Sequence, residues 1–255
     1  PRRQVPPAEH AMSDEQTKVS GKTALVTGAA RRIGRAIALA LARNGADVVV
    51  HYNTSASQAK ELARHIGQLG RWAWTIQADL ARPEEAEGLI TRAAEQAGPL
   101  HILINNAAIF PAGRLTDLRP QELLENININ ALAPLLAGRA FAAQGRGGAI
   151  VNLLDSRITD YDRGHAAYHI SKRMLATLTR MMALEFAPAV RVNAVAPGAI
   201  LPPPGREDEN TAAAADGNLL GRCGTPEEVA DAVLFLLNNE FVVGQVIYVD
   251  GGRHM

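Results

Sequence analysis

Thr27-Gly28-Ala29-Ala30-Arg31-Arg32-Ile33-Gly34 follows a short β-branched run, Thr23–Thr27, and opens an amphipathic stretch, Ile33–Arg43. Glycine at a strand-to-helix turn lets backbone approach a pyrophosphate. The helix start that follows offers unpaired N–H groups and a favourable dipole. A three-glycine fingerprint would carry its middle glycine near the place taken by Arg32. Alone, therefore, the segment reads equally well as a plain tight turn, and its surroundings decide.

Outward from this turn, strand patterns fall at Thr23–Thr27, Val48–Tyr52, Trp72–Gln77, His101–Asn105, Ala149–Leu154, Arg191–Ala196 and Gln245–Val249. Helical patterns separate them at Ile33–Arg43, Ser57–Gln68, Pro83–Gln96, Pro120–Ala142, Ala166–Phe186 and Pro226–Leu237. Nearly continuous apolar strands alternating with helices predict a parallel sheet covered on both faces. The expected fold is α/β: a doubly wound, seven-stranded, Rossmann-like sheet with ligands at the carboxyl ends of its strands. Residues 21–255 read as a single domain. Residues 1–20 read as a disordered leader, with translation starting at Met12. Pro197–Gly217 lacks periodicity and is rich in proline, glycine and charge, which predicts a mobile loop on the substrate side.

Composition narrows the partners. The chain has 255 residues, 47% of them hydrophobic, with 26 basic and 26 acidic side chains. Zero formal net charge, with basic residues dispersed, gives no electrostatic case for nucleic acid or an anionic membrane. A single cysteine, Cys223, excludes an internal disulfide and a cysteine-based metal site. No apolar run has the length of a membrane span, and no metal is expected. A reduced, cytoplasmic setting fits this composition.

The second strand ends Val50-His51-Tyr52-Asn53-Thr54-Ser55, without the acid that would accept from a ribose 2′-hydroxyl; Asp47 lies at the strand's start. Arg31 is placed to meet a 2′-phosphate, with Tyr52, Asn53, Thr54 and Ser55 lining the strand end. Read alone, Arg31 could equally be a solvated surface charge. A basic residue without a competing carboxylate favours NADPH. Asp79-Leu80, after the third strand, would meet the adenine, and Asn105-Asn106-Ala107, after the fourth, would supply amides and small residues beside the cofactor.

Tyr168 and Lys172 stand four residues apart on a helical pattern and so share one face. A free tyrosine is too weak an acid to be poised at neutral pH, and a neighbouring ammonium favours its phenolate. Lys172 is also placed to reach the nicotinamide ribose.

The glycine turn, Asn105-Asn106-Ala107 and Tyr-x-x-x-Lys, in this order, resemble the short-chain dehydrogenase/reductase family over almost the whole chain from Gly21. The resemblance implies that Asn130 is the helix asparagine holding a water in a proton relay. It implies that Pro197-Gly198 is the turn beside the nicotinamide, and that the protein is a homotetramer packed through long helices and the C-terminal segment. The family usually carries serine thirteen residues before the tyrosine, where this chain has Asp155. A carboxylate suits a substrate that needs a proton on a ring nitrogen or presents N–H donors, as a pterin does.

The Ala29–Gly34 turn, His51-Tyr52, the Asp/Tyr/Lys set and Asp250-Gly251-Gly252-Arg253-His254 resemble the pteridine reductase and dihydromonapterin reductase branch. That resemblance implies that Phe110 covers the pterin, that Arg32 faces phosphates and substrate, and that Ala108 replaces a substrate-contacting serine. The implied reaction is hydride transfer from NADPH to a C=N carbon of a dihydropterin, with Tyr168, Lys172 and Asp155 assisting protonation. Two rivals stand beside it: an NADPH-dependent reductase of ketones or 3-ketoacyl thioesters, and a non-catalytic NADPH sensor. The Asp155 carboxylate speaks against the first, and the intact Tyr168/Lys172/Asn130 set against the second.

Overall fold

A computed structural model describes residues 17–161, 163–201 and 217–255. The strands are β1 (Thr23–Val26), β2 (Asp47–Tyr52), β3 (Ala73–Gln77), β4 (Ile102–Asn105), β5 (Gly148–Leu153), β6 (Val190–Pro197) and β7 (Val246–Val249). They form one sheet in the order β3-β2-β1-β4-β5-β6-β7, every pair parallel. The helices are α1 (Arg32–Arg43), α2 (Ala56–Gln68), α3 (Pro83–Ala97), α4 (Pro120–Ile127), α5 (Ala133–Ala142), α6 (Ala166–Phe186) and α7 (Pro226–Asn238). This is the expected doubly wound, Rossmann-like fold.

Period-2 alternation divides the strand side chains between two cores. Ala24, Val26, Val50 and Ile104 pack with Ile37 and Leu41 of α1 and Val233 of α7. Leu25, Val49, Leu103 and Ile150 pack with Leu89 of α3, Phe141 of α5 and Met182 of α6. Since all strands run one way, the segments after β1 to β6 emerge at one edge. Strand order reverses between β1 and β4, where ligands of such sheets bind.

Three expectations change. The single helix read over Pro120–Ala142 is α4 and α5 joined by a π-helical turn, Asn128–Leu132. Pro134 has no N–H to give the carbonyl of Asn130 four residues earlier, so regular helix pairing fails there. Trp72 precedes β3 rather than opening it and is 72% exposed. Thr17–Ser20, assigned above to the leader, form a turn with Val19 buried in the first core. Met12 and the rest of 1–16 lie outside the described residues, as do 202–216 of the segment read as a substrate-side loop.

Candidate active site

The turn between β1 and α1, expected to meet the cofactor phosphates, is tightly built. Gly28 adopts φ +62, and Gly34 is packed so closely that a Cβ would fall 2.4 Å from the Gly28 carbonyl oxygen and 2.5 Å from Asn106 Nδ2. Arg32, in the place of the missing glycine, has φ +57 and is the one non-glycine residue with positive φ among those described. A long side chain held in the left-handed region costs about 1 kcal/mol, so the surroundings over-determine it. Arg31 and Arg32 are exposed at the helix start; Ile33 packs into the first core. Cationic side chains, a helix N-terminus and the acid-free end of β2 form a donor set that fits a phosphorylated dinucleotide.

Two side chains behind the turn fix it. Asn106 Nδ2 donates to the carbonyls of Thr27 (2.9 Å) and Gly28 (3.2 Å), and the Thr27 hydroxyl accepts from the N–H groups of Asn106 (2.9 Å) and Ala107 (3.0 Å). Buried His51 accepts the Gly28 N–H at Nδ1 (3.0 Å), which leaves the proton on Nε2, 3.2 Å from the Ala78 carbonyl. Burial pushes the pKa of this imidazole down to about 4. Thr27 and His51 thus hold the β1–α1 turn in shape, a part that the residue pattern alone does not signal.

Of the residues expected near the adenine ribose and base, Tyr52 packs against the first core and Leu80 lies in the second, while Asn53 and Thr54 are exposed. Asp79 orders its own loop: Oδ1 accepts from the Ala81 N–H at 3.1 Å and from Asn53 Nδ2 at 3.3 Å. Ser55 precedes the first turn of α2 without a side-chain cap. Pro197 and Gly198, expected to stand beside the nicotinamide, lie where β6 ends: Pro197 is its last residue, and the Gly198 N–H pairs with the Val249 carbonyl at 2.9 Å. A Cβ on Gly198 would come within 2.7 Å of Asp250, so only glycine fits there.

Asp155, Tyr168 and Lys172 come together. The Tyr168 hydroxyl donates to Asp155 Oδ2 at 2.9 Å, and Asp155 Oδ1 accepts from the Arg157 N–H at 2.8 Å. One carboxylate therefore meets the tyrosine and caps the 3-10 turn Ser156–Thr159. Adjacent Ser156 is buried, with a hydroxyl that finds no hydrogen-bond partner among the described residues. Lys172, 3% exposed, lies 5.8 Å from the Tyr168 ring centroid and donates to the Leu153 carbonyl at 2.6 Å. Burial pushes its pKa down to about 8, against an opposing pull from the Asp155 charge.

Asn130 lies in the π-helical turn. Its side chain grips the peptide of Ile109 from both sides, accepting the N–H at 2.9 Å and donating to the carbonyl at 3.0 Å, and donates to Ser171 Oγ at 3.0 Å. The side chain is thus committed to architecture. Pro134 cannot donate to the Asn130 backbone carbonyl, and that proline was the signal in the sequence that the turn existed. Next to Ile109, the Phe110 ring packs edge-on to Tyr168, centroids 4.6 Å apart at 84°. Among the described residues, no three His, Cys, Asp or Glu side chains cluster so as to hold a metal ion.

Fold and site define a dinucleotide-dependent oxidoreductase architecture with a tyrosine–lysine centre. The chain belongs to the short-chain dehydrogenase/reductase family: the family model described as enoyl-(acyl carrier protein) reductase matches residues 28–254. It is 37% identical to versicolorin reductase 1 of Aspergillus parasiticus, over 94% of this chain and 99% of that one. Among solved structures it resembles a short-chain dehydrogenase from Burkholderia cenocepacia in complex with NADP (36% identity, TM-score 0.88, covering 93% and 100% of the two chains). It also resembles FolM alternative dihydrofolate reductase 1 from Brucella canis complexed with NADP (31% identity, TM-score 0.88, covering 93% and 95%).

Proposed function

We propose that this protein reduces a dihydropterin with NADPH. The observation that carries the reading is the 2.9 Å hydrogen bond from the Tyr168 hydroxyl to the Asp155 carboxylate, where the family's usual serine would offer a hydroxyl. A carboxylate beside the proton donor opposes charge developing on a ketone oxygen, whereas it pairs well with the N–H groups of a pterin or with a ring nitrogen gaining a proton. The FolM relative, named as a dihydrofolate reductase, supports the same substrate class.

NADPH, when bound, supplies the hydride to the C=N carbon. Arg31, Arg32 and the start of α1 would hold its phosphates, Asp79 and Leu80 its adenine, and Ala107, Pro197 and Gly198 its nicotinamide end. Tyr168 supplies the proton to the ring nitrogen; accepting its hydroxyl hydrogen, Asp155 keeps the tyrosine in the donor form and aims it. Lys172 reaches the ribose and favours release of the Tyr168 proton. The Asn130 backbone carbonyl, to which Pro134 has no N–H to donate, would offer a place for a water that returns protons from solvent. Positioned acid catalysis of this kind contributes about 10²–10⁴-fold. Exposed apolar side chains on α6 (Met181, Leu184) and at Phe241 support a homotetramer, and a reducing cytoplasm suits a chain with one cysteine.

Ketone reduction, the activity named for the angucycline C-6 ketoreductase LanV, whose structure this chain also resembles, is the second reading. Purified protein oxidising NADPH with 7,8-dihydromonapterin or dihydrobiopterin supports the first; turnover of ring ketones alone supports the second.

A further inference from the structure

Phe110 is 37% exposed and sits in a segment without regular structure, yet its backbone is pinned on both sides. Asn130 grips Ile109 immediately before it. Three residues on, the Gly113 N–H donates to the Gly164 carbonyl at 2.7 Å, and the Ala166 N–H donates to the Gly113 carbonyl at 2.9 Å. This one-residue parallel bridge joins the segment to the entry of α6 and brings His165 beside Phe110. The two rings stack with centroids 3.9 Å apart and planes 14° from parallel. Phe110 is therefore held at one face by His165 and by Tyr168 through an edge-to-face contact. Although His165 stands at the N-cap position of α6, its side chain makes no cap hydrogen bond.

We propose that His165 is a positioning residue: its ring fixes Phe110 as a flat wall of the substrate cleft beside Tyr168, and so sets the affinity for planar ring substrates. The inference rests on reading Phe110 as a substrate wall. Backbone anchoring alone leaves the two side-chain torsions of Phe110 unset, and the stack sets them. Because the Gly113 bridge uses only backbone groups, changes to the His165 side chain leave the segment attached.

The test compares His165→Ala, His165→Gln and His165→Phe, each alone and with Phe110→Ala, using 7,8-dihydromonapterin and the fused-ring ketone 2-tetralone as substrates. His165→Ala and His165→Gln are expected to raise KM by about three- to tenfold with kcat within about twofold, the range of one aromatic pair. His165→Phe restores the wild-type KM, and none of the three adds an effect once Phe110 is alanine. Equal KM values for the alanine and phenylalanine variants, additive effects in the Phe110→Ala background, or a loss confined to kcat would overturn the proposal. Turnover of 2-tetralone alone overturns the pterin reading and leaves the His165 comparison readable on the ketone; turnover of neither substrate overturns both.

Discussion

The Tyr168 hydroxyl stands 2.9 Å from Asp155 Oδ2, while the other oxygen of the same carboxylate holds the Arg157 N–H at 2.8 Å. The backbone contact locks the carboxylate, and the locked carboxylate locks the phenol. Tyr168→Phe removes the proton donor without altering the ring that meets Phe110. It is expected to lower kcat by about 10²–10⁴-fold with little change in NADPH affinity, read by steady-state kinetics and cofactor titration.

Asp155→Ser separates the two duties of the carboxylate. A serine hydroxyl still accepts from the Arg157 N–H, so the melting temperature should fall by only a few degrees. The charge beside Tyr168 is gone, and the ratio of kcat/KM for a dihydropterin to that for a ketone should drop at least about tenfold. A panel of the two substrates with both proteins reads this directly.

Lys172 titrates near 8 because burial disfavours its ammonium. The ammonium is present below that pH and lost above it. With the ammonium assisting Tyr168, kcat/KM of the free enzyme should decline as pH rises through about 8, and Lys172→Met should lower kcat/KM at least about 10²-fold, with no inflection near 8 in the residual activity. A pH–rate profile from 6 to 10 checks the direction.

Arg32 occupies a left-handed backbone position, φ +57, that glycine fills without strain. Arg32→Gly should raise the folding stability by up to about 1 kcal/mol while weakening NADPH binding through loss of the cation. Arg32→Ala keeps the strain and loses the charge. Thermal melts paired with cofactor titrations distinguish the three proteins.

His51 is neutral when folded, its pKa lowered by burial from 6.5 to about 4. Above 6.5 it is neutral in both states and its contribution is complete. From 6.5 down to about 4 only the unfolded chain takes up the proton, so stability falls by about 1.4 kcal/mol per pH unit from this group. Urea unfolding between pH 7 and 5 should show a shallower decline for His51→Asn than for the wild type.

The strands were legible because most are near-continuous apolar runs, as covered parallel strands are, with Thr75 and Gln77 of β3 and Arg191 and Asn193 of β6 as exceptions, and the Tyr168/Lys172 spacing survives any error in helix ends. The break at Asn128–Leu132 was harder: Pro134 announces it, but apolar periodicity runs on through α4 and α5. The Phe110–His165 stack joins residues 55 positions apart through a backbone bridge that side-chain pattern cannot signal. Val19 is a lone apolar residue among polar ones, and its burial follows from a turn placed by the sheet.

In the proposed reaction Asp155 is what turns a tyrosine–lysine centre toward pterins. The most direct measurement is NADPH oxidation by the purified wild type and by Asp155→Ser, each with 7,8-dihydromonapterin and with 2-tetralone. The wild type is expected to prefer the pterin and the serine variant to lose that preference. Wild-type turnover of the ketone alone, or a pterin preference that survives Asp155→Ser, would contradict that role.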